Sequence, residues 1–174
     1  MRVATSALHK QLDGLVGRLS DLSDYSRYLL ATTAFRASVE TIPASTEVDV
    51  SGFNPTRLHD ELLLDCADLT LDPRKIIYEP AIGQGRSAHL GMMYVLEGSA
   101  LGARLLMGDA LRLGLNGTFG ARHLAKQIAR PQRWEEFLQS LETAEDFDLD
   151  AAMVAASRVF EIAICCAEAN RRVP

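Results

Sequence analysis

Cysteine is scarce in this 174-residue chain, and the three present, Cys66, Cys165 and Cys166, build nothing together. An odd number, with two adjacent, excludes a disulfide framework and any zinc spacing. The thiols read as small buried apolar groups in a reducing compartment. Long apolar runs are missing too, so no segment suits a bilayer span. The opening MRVATSALHKQLDG has no apolar signal core, and a cytoplasmic location is the expectation. Alternating strand runs and internal repeats are absent. So are HExxH, a phosphate loop, a nucleophile elbow, a convincing carboxylate pair and any two histidines at i, i+4. The net charge of −5 argues against nucleic acid and against anionic membranes as partners.

Helix signals fill what remains, and they predict an all-α, single-domain architecture of six or seven helices over 1–174. The first helix is expected over about 2–18, with Val3, Leu8, Leu12, Leu15 and Val16 inward. The second starts near Ser23 or Asp24, both good caps, and ends at Pro43. Asn54-Pro55 reads as a cap followed by proline at the first helical position. That places Leu58, Leu62, Leu63 and Cys66 on a third helix. After a connector over 70–84, one long helix is expected over about 85–113, stopped by Leu115-Asn116-Gly117. Two shorter helices, 119–129 and 132–141, flank Pro131. The last helix starts near Asp146–Asp150, acids that suit the positive end of the dipole. It is expected to bury Val154, Phe160, Ala163 and Ala167.

The stretch Leu90–Leu106, LGMMYVLEGSALGARLL, stands out within that pattern. Leu90, Met93, Tyr94, Leu96, Leu101 and Leu105 recur at helical intervals. Yet Gly91, Gly98 and Gly102 sit inside it, each costing roughly 0.5–1 kcal/mol relative to alanine. At about 100° per residue they share a narrow arc, so one face lacks side chains. Two readings follow: a close helix crossing, or a flat ligand against the backbone.

An all-α chain with no catalytic constellation of its own can still do chemistry through a cofactor. Four histidines are available: His9, His59, His89 and His123. Taken singly, each reads as a surface or hydrogen-bonded residue. One of them opposite a glycine-lined helix is also the arrangement an iron macrocycle needs.

The segment Arg2–Asp13, with Ala4-Thr5 before His9 and Asp13 after it, resembles the proximal helix of the haem oxygenases. Tyr94-Val-Leu-Glu-Gly98-Ser-Ala-Leu-Gly102 resembles their distal helix. Its wording is most similar to the bacterial branch found beside bacteriophytochromes. Trp134, Phe137, Leu141, Asp150, Ala155 and Phe160 resemble that branch as well. The resemblance implies a haem oxygenase-like fold, His9 as the iron ligand, and Gly98 and Gly102 over the distal haem face. It also implies Tyr94 at the haem and Arg2 near a propionate. Ser99 stands where the mammalian-type enzymes carry a distal aspartate, so proton supply here falls to water and backbone. Phe119-Gly120-Ala121-Arg122-His123 departs from the aromatic stretch of the bacterial relatives. Asp13, one turn after His9, is placed to orient the first helix. Glu97 points about 100° away from Gly98 and reads as structural or as supporting the site from behind.

The implied activity is opening of haem to biliverdin, CO and ferrous iron, using O2 and electrons from an external reductase. A bacteriophytochrome accepting biliverdin is a partner implied by the branch. Three alternatives stand beside it: a haem carrier or sensor without turnover, a thiaminase-like or di-iron relative on the same scaffold, and a helical interaction module with packing glycines. The di-iron kind needs Glu-x-x-His pairs, which the chain lacks.

Overall fold

The computed structural model describes residues 4–40, 55–73, 78 and 82–171. These form eight helices: α1 (Ser6–Val16), α2 (Leu22–Glu40), α3 (His59–Asp68), α4 (Arg86–Gly98), α5 (Ala100–Arg112), α6 (Arg122–Ile128), α7 (Arg133–Glu142) and α8 (Leu149–Asn170). No strand is present among the described residues; the turn at Asn116–Gly120 holds isolated bridges only. The all-α expectation holds.

Helix α8 is the axis on which α4, α2 and α1 pack. Its buried face is built from small residues, among them Ala152, Ala155, Ala156 and Ala163, and this lets neighbouring backbones come close. Gly91 of α4 shows how close: a Cβ built there would lie 2.1 Å from the Ala152 carbonyl oxygen. At this glycine the close crossing is the correct reading. A second core joins α2, α3, α5 and α6 through Leu29, Leu62, Ala110 and Leu124. A third sets α7 against α4, with Phe137 wholly buried beside Leu90 and Met93. Burying that one phenyl ring contributes about 1.5–3 kcal/mol.

Several boundaries differ from the expectation, each for a physical reason. The third helix starts at His59, not at Pro55, because its cap comes from elsewhere. The Glu40 carboxylate accepts the Leu58 N–H at 2.8 Å and the His59 N–H at 3.2 Å. The long helix over 85–113 is two helices, broken at Ser99. Its hydroxyl donates to the Leu96 carbonyl at 2.6 Å, the acceptor that Ala100 N–H would use in an unbroken helix. A Gly-Ser pair is a common site for such a kink. Val154 is 69% exposed rather than buried; it lies on the outer side of α8, opposite the alanine face. Cys66 and Cys166 are buried as expected, whereas Cys165, one residue round the helix, is exposed. Burial pushes the Cys166 thiol up to about 12, so it is inert. Val3, Pro43 and Asn54 lie outside the described residues.

Candidate functional site

Helix α1 has no buried residue. It lies on α8 with Leu8 and Leu12 half-buried against the α2–α4–α8 core. His9 is on its outer part, with its side chain 62% exposed. The imidazole is nonetheless held in place. Nδ1 lies 2.9 Å from the Asp13 carboxylate one turn on, and the ring meets Phe160 edge-on at 5.7 Å. This gives Nδ1 a carboxylate partner and leaves Nε2 facing outward, the orientation metal-bound histidines commonly have. The sequence placed Asp13 one turn after His9; the contact itself is a finding of the structure.

The glycine strip is not uniform. A Cβ on Gly98 would touch the Trp134 ring at 3.4 Å, an ordinary contact, while one on Gly102 would meet nothing within 4 Å. Next to Gly102, Leu101 and Leu105 are 51% and 77% exposed and add apolar surface to that side of α5. Tyr94 is half-buried and packs on Trp134, ring centroids 5.3 Å apart. Trp134 in turn stacks on Phe137 at 5.8 Å. The aromatic wall beside Gly98 therefore comes from α7, a helix whose role the sequence did not reveal.

The break at the exposed Ser99 is the outer end of a polar network whose inner members, Arg36 and Glu97, are buried. Besides its bond to Leu96, the Ser99 hydroxyl accepts from Gln127 at 2.6 Å and from Arg36 at 3.4 Å. Arg36 also donates to Glu40 at 3.4 Å and to the Thr56 carbonyl at 3.2 Å. Burial pushes its guanidinium below the ordinary value, and Glu40 and Glu97 oppose this. Glu97 is buried. Its carboxylate accepts the Thr56 N–H at 2.9 Å and Arg133 Nε at 2.7 Å. Nothing in the sequence pattern singled out Arg36, Gln127 or Arg133.

His123 belongs to a separate buried cluster. Its Nδ1 and backbone N–H both bond the Asp65 carboxylate, at 2.7 and 3.0 Å, and its Nε2 lies 3.0 Å from the Tyr28 hydroxyl. Arg122 binds both Asp65 and Asp68. Lys126 pairs with Glu61 and Arg130 with Glu136, as a solvated face would. His9 is thus the histidine that combines exposure with a carboxylate-held ring. Arg2 lies outside the described residues. No group of three His, Cys, Asp or Glu side chains able to hold a metal ion converges among the described residues.

No family model matches the chain. The chain is 27% identical over 154 residues to the haem oxygenase PigA of Pseudomonas aeruginosa, covering 83% of this chain and 77% of that protein. Among solved structures it is similar to the NO- and CO-bound haem oxygenase from Neisseria meningitidis. The TM-score is 0.68 at 23% identity, over 99% of this chain and 90% of the other. The fold of this chain is that of the haem oxygenases.

Proposed function

We propose that the protein is a haem oxygenase, which opens haem to biliverdin, CO and ferrous iron with O2 and electrons from a separate reductase. The observation that carries this reading is His9. On a haem oxygenase fold, its Nδ1 is held by Asp13 while its Nε2 is unengaged, on a helix with nothing buried. The open side of α5 fits the same ligand. Gly102 has space where a side chain would be, and Leu101 and Leu105 offer apolar surface to a flat macrocycle.

Haem, when bound, supplies both the iron that activates O2 and the ring that is oxidised. The chain's own residues then have separable tasks. His9 Nε2 binds the iron, and Asp13 orients the ring behind it. Gly98 and Gly102 keep the distal side low, with Tyr94 and Trp134 as its wall. Ser99 keeps the helix broken there and has its hydroxyl committed to Leu96, Gln127 and Arg36. Protons therefore reach the site through water rather than from a side-chain acid. Arg2 is the proposed propionate partner. The whole chain acts as one domain in the cytoplasm, and a bacteriophytochrome is the proposed acceptor of biliverdin. No helix among the described residues is long and apolar enough to cross a membrane.

The test is a haemin titration followed by a reductant in air. A Soret band that decays into a biliverdin band is the expected result. A Soret band that persists under the same conditions makes the protein a carrier, and no band at all makes it an interaction module.

A further inference from the structure

We propose that Asp109 is a positioning residue for this reaction: its carboxylate ties the connector after α1 to the end of α5. It thereby sets the spacing between the helix that carries His9 and the helix that carries Gly102. The proposal rests on the haem reading above. The two helices are far apart in sequence, and α1 packs chiefly on α8. Leu8 and Leu12 hold α1 on the α2–α4–α8 core and Val16 reaches the core that contains α5. With no residue of Ser6–Val16 fully buried, a hold at its C-terminal end adds to these in setting its place relative to α5.

One such hold is visible at the C-terminal end. Gly17 ends α1 at φ +61°, a conformation that glycine adopts without strain. The chain then turns so that Leu19, 2% exposed, enters the α2–α3–α5–α6 core. There the Leu19 N–H donates to Asp109 Oδ2 at 3.3 Å, across 90 positions of sequence. The other carboxylate oxygen meets Arg112 at close range and Arg18 at 3.9 Å.

The carboxylate has one local partner, Arg112 three residues on, but its position is otherwise unfavourable. It sits in the last turn of α5, where a negative charge opposes the helix dipole. It is also 8% exposed, where charged groups are rarely found unless paired. A local conflict of this kind marks a position retained for its long-range contact. On the haem reading, α1 and α5 would lie on the two sides of the ring, and pinning them at one end would restrict its rotation. That rotation decides which meso carbon is attacked.

The test uses Asp109→Ala and Asp109→Ser, which lose or fall short of the Leu19 N–H, beside Asp109→Asn, which keeps an acceptor oxygen. The serine variant covers the case in which alanine prevents folding. Two quantities are read: amide hydrogen exchange of the haem-free proteins, and the biliverdin isomer distribution after turnover. In the alanine and serine variants, α1 is expected to exchange at least about tenfold faster while α4 and α8 are unchanged. The ratio of minor to major isomer should rise at least about threefold. Asp109→Asn should stay near the parent in both.

Parent-like exchange in α1, or faster exchange with an unchanged isomer ratio, overturns the positioning role while the haem reading stands. A parent protein that shows no Soret band with haemin defeats the haem reading itself, and the positioning role with it.

Discussion

At the scale of single residues, the assignment turns on what each side chain has left to offer. His9 offers Nε2; His123 has both ring nitrogens engaged, by Asp65 and Tyr28. His9→Ala is therefore expected to abolish haem turnover while the protein stays helical by circular dichroism. Added imidazole should restore part of the activity. Turnover at the parent rate without imidazole would move the ligand elsewhere, and the same assay on His59→Ala and His89→Ala would find it. Ser99→Ala tests the opposite claim. Its hydroxyl is spent on holding the break, so its loss should cost about 0.5–1.5 kcal/mol of stability. It should lower turnover less than about tenfold, or roughly 1.4 kcal/mol of barrier. A larger fall with haem bound normally would make the hydroxyl a participant in proton delivery.

At the scale of elements, the three glycines that looked alike in the sequence have three different neighbours. Gly91 meets the α8 backbone, Gly98 meets Trp134, and Gly102 meets open space. Alanine substitutions should separate them by sign. Gly91→Ala drives a methyl group into the Ala152 carbonyl and should destabilise the haem-free protein by at least about 1–3 kcal/mol. Gly102→Ala should leave it as stable or gain up to about 1 kcal/mol from helix propensity, yet lower turnover by crowding the distal side. Urea melts of the two haem-free variants decide this, and a destabilised Gly102→Ala with normal turnover would remove the distal assignment.

The helices themselves were legible because apolar spacing and caps act over a few residues. The strip of glycines was legible for the same reason. The break at Ser99 was not, although its cause is local. The Gly98-Ser99 pair is a common kink site, and only the structure shows the hydroxyl taking the Leu96 carbonyl while Gln127 and Arg36 donate to it from other helices. The α3 cap was not either, because Glu40 supplies it from the end of α2. The Asp13–His9 contact is one helical turn long, and for that reason the sequence could at least point to it.

At the scale of the whole molecule, stability has a pH dependence that the buried His123 cluster sets. The cluster joins α2, α3 and α6, so it is broken only when these helices separate. Burial pushes the His123 imidazole below its ordinary value, and Asp65 only partly opposes this. The ring is therefore neutral in the folded protein, donating from Nδ1 to Asp65 and accepting from Tyr28. His89 is shifted in the same direction, by burial. Unfolding returns both to about 6.5. Between their depressed folded values and about 6.5, the unfolded chain binds more protons than the folded one, so stability rises with pH there. Their contribution is complete above about 6.5 and is lost as pH falls toward the folded values.

Asp65 adds a second, lower window. Burial raises its carboxyl, but the hydrogen bonds from the His123 ring and from the backbone N–H groups of His123 and Arg122 outweigh this and hold it below its ordinary value. Its contribution is present above about 3.8 and is lost below. Urea denaturation at pH 7.5 and pH 5 should show the parent less stable at the lower pH. His123→Gln, which leaves Asp65 without its ring donor, should be less stable at pH 7.5 by about 1.5–3 kcal/mol. Its loss between pH 7.5 and 5 should be smaller than the parent's, because one proton-binding group has been removed from the unfolded chain. A variant that loses more stability than the parent between pH 7.5 and 5 would show that His123 is protonated in the folded protein, paired as a cation with Asp65, and an equal loss would show an imidazole that folding does not shift.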